Sequence, residues 1–138
     1  MKKIFGDTSF WFSLLVRADN NHQHTVELVH KLQEEGAIIF LSTQVLAETQ
    51  RLILHKLGID AAHLFIDKLF KQVEQGFVSV VPVSWEHIVQ AQKILQKFSD
   101  QSITLTDACS VVLMKDYSIL QIASYDNHFR IMGLVVLP

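Results

Sequence analysis

Two kinds of apolar pattern alternate along the chain. The first is a short, nearly unbroken run, found at Lys3–Gly6, in "AIIFL" (37–41), "FVSVVPV" (77–83), "ILQIASYD" (119–126) and "LVVL" (134–137). Such runs are too short for helices and read as strands. A continuously apolar run like AIIFL marks a strand covered on both faces, and Pro82 places the end of its strand or an edge. The second pattern has helical spacing. It predicts helices over 9–17, 24–35, 44–57, 61–75, 85–98 and 105–117, with a short one at 127–132. Ser42 or Thr43, Asp60, Ser84 and Thr104 stand where N-caps are needed, and Gly36 and Gly76 where helices stop.

Strands thus alternate with single helices or helix pairs. That order predicts an α/β fold: a three-layer α/β/α sandwich around a central, mostly parallel sheet. No linker or repeat divides the chain, so residues 1–138 are expected to form a single domain. With 49% hydrophobic residues, a core of ordinary size can form.

Composition narrows the function. A formal net charge of −2 argues against holding nucleic acid by bulk positive potential, but leaves room for a small site that grips phosphate through metal ions. One cysteine, Cys109, permits no internal disulfide and fits a reducing, cytoplasmic location. Lys2 and Lys3 precede an apolar run, Phe10–Val16, as in a secretory leader, yet Asp7 sits between them and no Ala-x-Ala-like site follows. No stretch reaches 18 apolar residues, so no membrane-spanning helix is expected.

Four acids stand at element ends. Asp7 follows the first strand and Asp126 the fourth, where ligands bind in open α/β sheets if the two strands are neighbours. Glu48 shares a helix face with Val45 and Leu52, and Arg51 offers a plain ion-pair partner. Asp107 fits a capping box with Thr104. Asp126–Asn127 fits an Asx turn or N-cap. Each acid has an ordinary structural reading alone. Together on one edge they would repel each other and raise their own pKa values, a penalty that divalent cations remove. Mg²⁺ and Mn²⁺ favour such oxygen ligands and serve phosphodiester chemistry.

Asp7-Thr8-Ser9 after the first strand, Glu48 in "LSTQVLAETQRLI", Asp107 in "ITLTDACSVVLM" and Asp126 in "IASYDNHF" resemble, in order, the motifs of the PIN domain. The likeness is to its small single-domain branch, which includes VapC-type toxins of toxin–antitoxin pairs. It implies a metal-dependent endoribonuclease with Asp7, Glu48, Asp107 and Asp126 as catalytic metal ligands and Mg²⁺ or Mn²⁺ as cofactor. Ser9 and Thr106 resemble hydroxyls that orient the acids, and Asp100 occupies a spot where related proteins often carry another acid. The stretch after Asp126 reads Asn127-His128-Phe129, where many relatives have a further acid. Implied partners are an RNA substrate, a second copy in a homodimer and an antitoxin, with no membrane. In the toxin branch, the apolar stripe Leu64, Phe65, Leu69 and Phe70 resembles the dimer and antitoxin surface, and one ring of Phe10-Trp11-Phe12 is expected to serve a partner.

Lys2, Lys3, Arg17, Arg51 and Arg130 lie near the candidate acids in sequence and are candidate phosphate contacts. A PIN-like fold that binds RNA or scaffolds proteins without cleaving is the competing reading. A receiver or phosphatase fits less well: Asp7 is followed by Thr8 and Ser9, with neither an acidic pair nor Asp-x-Asp-x-Thr.

Overall fold

A computed structural model describes all residues, Met1–Pro138. In chain order the elements are β1 (Lys3–Gly6), α1 (Thr8–Leu15), α2 (His22–Glu34), β2 (Ile38–Ser42), α3 (Thr43–Leu57), α4 (Ile59–Glu74), β3 (Val78–Val81), α5 (Trp85–Lys97), α6 (Leu105–Asp116), β4 (Gln121–Ala123), α7 (His128–Ile131) and β5 (Val135–Leu137). All five expected strands and seven helices form. The sheet order is β3-β2-β1-β4-β5, and every pairing is parallel.

The central strands carry the core. Ile4, Phe5, Leu41 and Ile122 are fully buried, together with Phe10, Phe65, Leu113 and Phe129 from the helices around them. Right-handed crossovers put α1–α4 on one face, with α5 and α6 on the other. The packing agrees: α1 touches α2 and α3, α3 touches α4, and α5 packs on α6. Ala91, Ala108, Cys109 and Val112 fill the α5–α6 seam, so Cys109 is a small packing residue.

Ser42, rather than Thr43, caps α3 by accepting from Val45 N at 3.0 Å. Asp60 is not the cap of α4. It sits in the first turn, and Gly58 is at once the C-cap of α3 and the N-cap of α4. Its φ of 93° lets the chain reverse within one residue, which removes any need for a capping side chain there. The apolar stripe on α4 divides: Phe65 and Leu69 are buried, whereas Leu64 and Phe70 are more than half exposed.

Candidate active site

β1 and β4 are hydrogen-bonded neighbours, with Gly6 opposite Ala123. From β1 the chain runs outward to β2 and β3, and from β4 it runs the other way to β5. Strand order therefore reverses between them, the place where open α/β sheets form a crevice beyond their carboxyl ends. Asp7 leaves β1 at this edge, and its N–H donates to Ala123 O at 3.1 Å. Asp7, Glu48, Asp107 and Asp126 all line one cleft of about 360 Å³.

Asp7 occupies the N-cap position of α1, yet its carboxylate does not cap the helix. Ser124 and Ser9 donate to its Oδ2 at 3.0 and 3.2 Å instead. The same two hydroxyls accept from Asp126 N and Tyr125 N at 3.0 and 2.9 Å, so they tie Asp7 to the chain leaving β4. Asp7 is only 4% exposed. Burial, reinforced by the charge of Asp107, pushes its pKa up to about 6, against the pull of its hydroxyl partners.

Glu48 does not pair with Arg51. Thr8, one residue past Asp7, donates to Glu48 Oε1 at 2.7 Å and fixes α3's acid against the start of α1. Arg51 lies beside it with His55 in an adjoining groove.

Asp107 forms the helix cap that its position suggested. It completes the capping box of α6, accepting from Thr104 N at 3.2 Å while Thr104 Oγ1 accepts from Asp107 N at 3.1 Å. It also presents its carboxylate to the cleft. Burial is the main cause of its raised pKa; the Thr104 contacts oppose the rise, and Asp126 adds to it. Thr104→Ala is expected to destabilise the protein by about 1 kcal/mol, as loss of a threonine cap does, read as a lower midpoint in urea.

Asp126 forms the expected Asx turn, its Oδ1 accepting from His128 N at 3.0 Å. Oxygens of Asp107 and Asp126 and a ring nitrogen of His128 all lie within 4.8 Å of one another, a grouping able to hold a cation. The donor chemistry fits one, since like charges converge here and burial holds two of the four carboxyls above their ordinary range.

Two expected contributors stand outside the cleft. Asp100 is exposed in the turn between α5 and α6. Thr106 is half-buried and its carbonyl accepts from Ser110 Oγ. The hydroxyl on the face of Asp107 is that of Thr104, three residues before it; an adjacent residue points elsewhere. Lys2 and Lys3 sit at the far end of β1, where Lys2 pairs with Glu35 and Lys3 donates to Tyr117 O. The cation that lines the cleft is Lys56, 5.5 Å from the centroid of the Phe12 ring. Phe12 packs half-buried against the edge of the core and lines the cleft with the acids. Tyr125, whose hydroxyl bonds Thr25 at 2.7 Å, also lines the cleft.

A parallel α/β sheet with carboxylates gathered where strand order reverses defines the class, and the chain belongs to the PIN domain family, whose model matches residues 4–133. Among characterised proteins it is similar to ribonuclease VapC26 of Mycobacterium tuberculosis, 27% identical over 124 residues that cover 89% of this chain and 87% of that one. Among solved structures it resembles VapC20 of Mycobacterium tuberculosis, a toxin that cleaves the sarcin–ricin loop, with a TM-score of 0.79, 25% identity and 96% of each chain covered. It shares its fold with VapBC2 of Rickettsia felis bound to a promoter DNA fragment, at a TM-score of 0.66, 14% identity and 98% and 97% coverage.

Proposed function

We propose that this chain is a divalent-cation-dependent endoribonuclease and the toxin of a type II toxin–antitoxin pair. The observation that carries the reading is the convergence of Asp7, Glu48, Asp107 and Asp126, from four separate elements, on one cleft of a PIN domain. The ribonuclease name of VapC26 and the cleaving activity of VapC20 support it.

Asp7, Asp107 and Asp126 would hold Mg²⁺ or Mn²⁺, with Glu48 fixed beside them by Thr8. The bound cation would activate water and offset charge developing on the phosphodiester. Ser9 and Ser124 keep one oxygen of Asp7 occupied, so the carboxylate is oriented before substrate arrives. Lys56 supplies positive charge at the rim, which a chain of net charge −2 does not provide in bulk. Phe12 and Tyr125 line the same cleft, where aromatic side chains would favour an unpaired base. Hydrolysis here needs no nucleophilic side chain, and buried Cys109 lies outside the cleft.

The same proposal includes a homodimer and a bound antitoxin. Leu57, Leu64, Phe70, Val73 and Phe77 leave an exposed apolar surface along and around α4. No helix is long and apolar enough to cross a membrane, and a cytoplasmic location accompanies the reading.

The test maps new RNA 5′ ends in cells briefly expressing the chain without an antitoxin, with Asp107→Asn as control. A few sharp ends seen only with the unaltered chain are expected. Identical maps, with both proteins folded and present, would favour the non-cleaving RNA-binding module and leave Asp107 only its capping role.

A further inference from the structure

We propose that His128 is itself a ligand of the cation in this cleft, through Nδ1, and that it biases the site toward Mn²⁺ over Mg²⁺. The inference rests on the metal-dependent reading above and adds a nitrogen donor to the four carboxylates.

The geometry around Nδ1 is unusual for a histidine beside acids. Nδ1 lies 3.1 Å from Asp126 Oδ1 and 3.4 Å from Asp107 Oδ2. The atom is buried and makes no well-aligned hydrogen bond, although it is close enough to the Asp107 carboxyl to lower its pKa. Two other imidazoles of the molecule, those of His22 and His87, are well partnered. His22 Nδ1 bonds Ser13 O at 2.8 Å, and His87 caps α5 through Nδ1 while Nε2 meets Asp116 at 2.8 Å. Buried polar atoms seldom go without a partner. Two carboxylate oxygens within reach, neither lying along the ring's N–H direction, is the arrangement of groups that aim at a common point rather than at each other. Ligands about 2.1 Å from an ion, on adjacent corners of an octahedron, stand about 3 Å apart. The two distances at Nδ1 are close to that separation.

The neighbouring bonds hold the set in place. Asp126 Oδ1 accepts from His128 N, so the turn that fixes the carboxylate also starts α7 and sets the imidazole beside it. Asp107 Oδ2 is anchored by Thr104 N. Phe129, fully buried, pins α7 to the core directly after His128. With a cation bound at Nδ1, the ring proton would sit on Nε2. An imidazole nitrogen in place of an oxygen disfavours Mg²⁺, which prefers carboxylates and water, relative to first-row ions.

The experiment titrates Mn²⁺ into the full chain and examines the bound ion by pulsed electron paramagnetic resonance. The chain is compared with His128→Asn and with His55→Gln, a nearby histidine outside the acid cluster. Bound Mn²⁺ is expected to show nitrogen coupling in the unaltered chain and in His55→Gln, and none in His128→Asn. His128→Asn should also weaken Mn²⁺ binding about tenfold or more, since loss even of a ligand's outer partner costs 10–100-fold. Mg²⁺ affinity should fall less, narrowing the preference. Mn²⁺ bound in a manner abolished by Asp126→Asn, but without nitrogen coupling, would overturn the role of His128 and leave the carboxylate site standing. No Mn²⁺ binding by a folded protein would overturn both.

Discussion

Asp7→Asn is expected to abolish cleavage and, in the presence of a chelator, to raise the melting temperature. Loss of one carboxylate from the cation site removes several kcal/mol of charge stabilisation, a rate effect on the order of 10³-fold. The stability effect has the opposite sign. Asp7 is buried beside Asp107, and its pKa is pushed up to about 6 from 3.8. At pH values between these two, the folded protein holds a proton that the unfolded chain has released. Stability contributed by this group is therefore greatest in acid and falls as pH rises through that window. At 1.36 kcal/mol per pKa unit, the charged carboxylate costs the metal-free fold roughly 3 kcal/mol at neutral pH. Asparagine keeps an oxygen for Ser124 and Ser9 and carries no charge. Thermal melts at pH 7.5 and pH 4.5 with a chelator would check this. The variant should gain several degrees at pH 7.5 and about a third as much at pH 4.5, which lies inside that window. Saturating Mn²⁺ should reverse the order at pH 7.5 by stabilising only the unaltered protein.

Gly6→Ala is expected to be the most disruptive single methyl group in the protein. A Cβ at Gly6 would lie 2.7 Å from Trp11 Nε1 and 2.8 Å from Phe10 Cδ2. Both rings are buried and stand edge to face with centroids 5.0 Å apart. Trp11 Nε1 also donates to Gly6 O at 2.9 Å, so the clash falls on the bond that fixes this corner. Overpacking of this kind costs about 3 kcal/mol. For a chain of this size that lowers the melting temperature by roughly 10 °C. Gly6 immediately precedes Asp7, so Mn²⁺ affinity should fall as well. Combining Gly6→Ala with Trp11→Phe makes room where the clash is worst. The pair should be less destabilised than the sum of the single changes, a coupling that urea denaturation measures directly.

Much of this arrangement is legible along the chain, and what is hidden has physical reasons. Strand ends and helix starts carry their own chemistry, so Asp7, Asp126 and Asp107 stand out from the apolar runs that flank them. Glu48 is visible because it breaks an apolar helix face. Its true partner, Thr8, is 40 residues away, whereas Arg51 is nearby in sequence and makes no such bond. Ser124 reads as one more residue of a strand, because only the pairing of β1 with β4 places it on Asp7 across 117 positions. Thr106 adjoins Asp107 in sequence, but the cap geometry of α6 selects Thr104. Lys56 resembles an ordinary helix-end lysine until α3 packs on α1 and brings it over Phe12. In sequence His128 is one more residue of a short helix, and only the turn at Asp126 turns its ring toward two acids.

The strand order also sets a schedule for the nascent chain. β1 pairs on one side with β2, made soon after it, but its other edge waits for β4, which begins only at Gln121. Domains tend to organise from the N-terminus as they emerge, and such long-range pairing is slow. Throughout that interval Ile4 and Phe5 border an unpaired edge, and Asp7 lacks Ser124 as well as its neighbours Asp107 and Asp126. A polypeptide still attached to its ribosome and not yet extended through Asp126 therefore carries an open, sticky strand and a disassembled acid cluster. Translation that stalls before that point yields a client for chaperones and proteases.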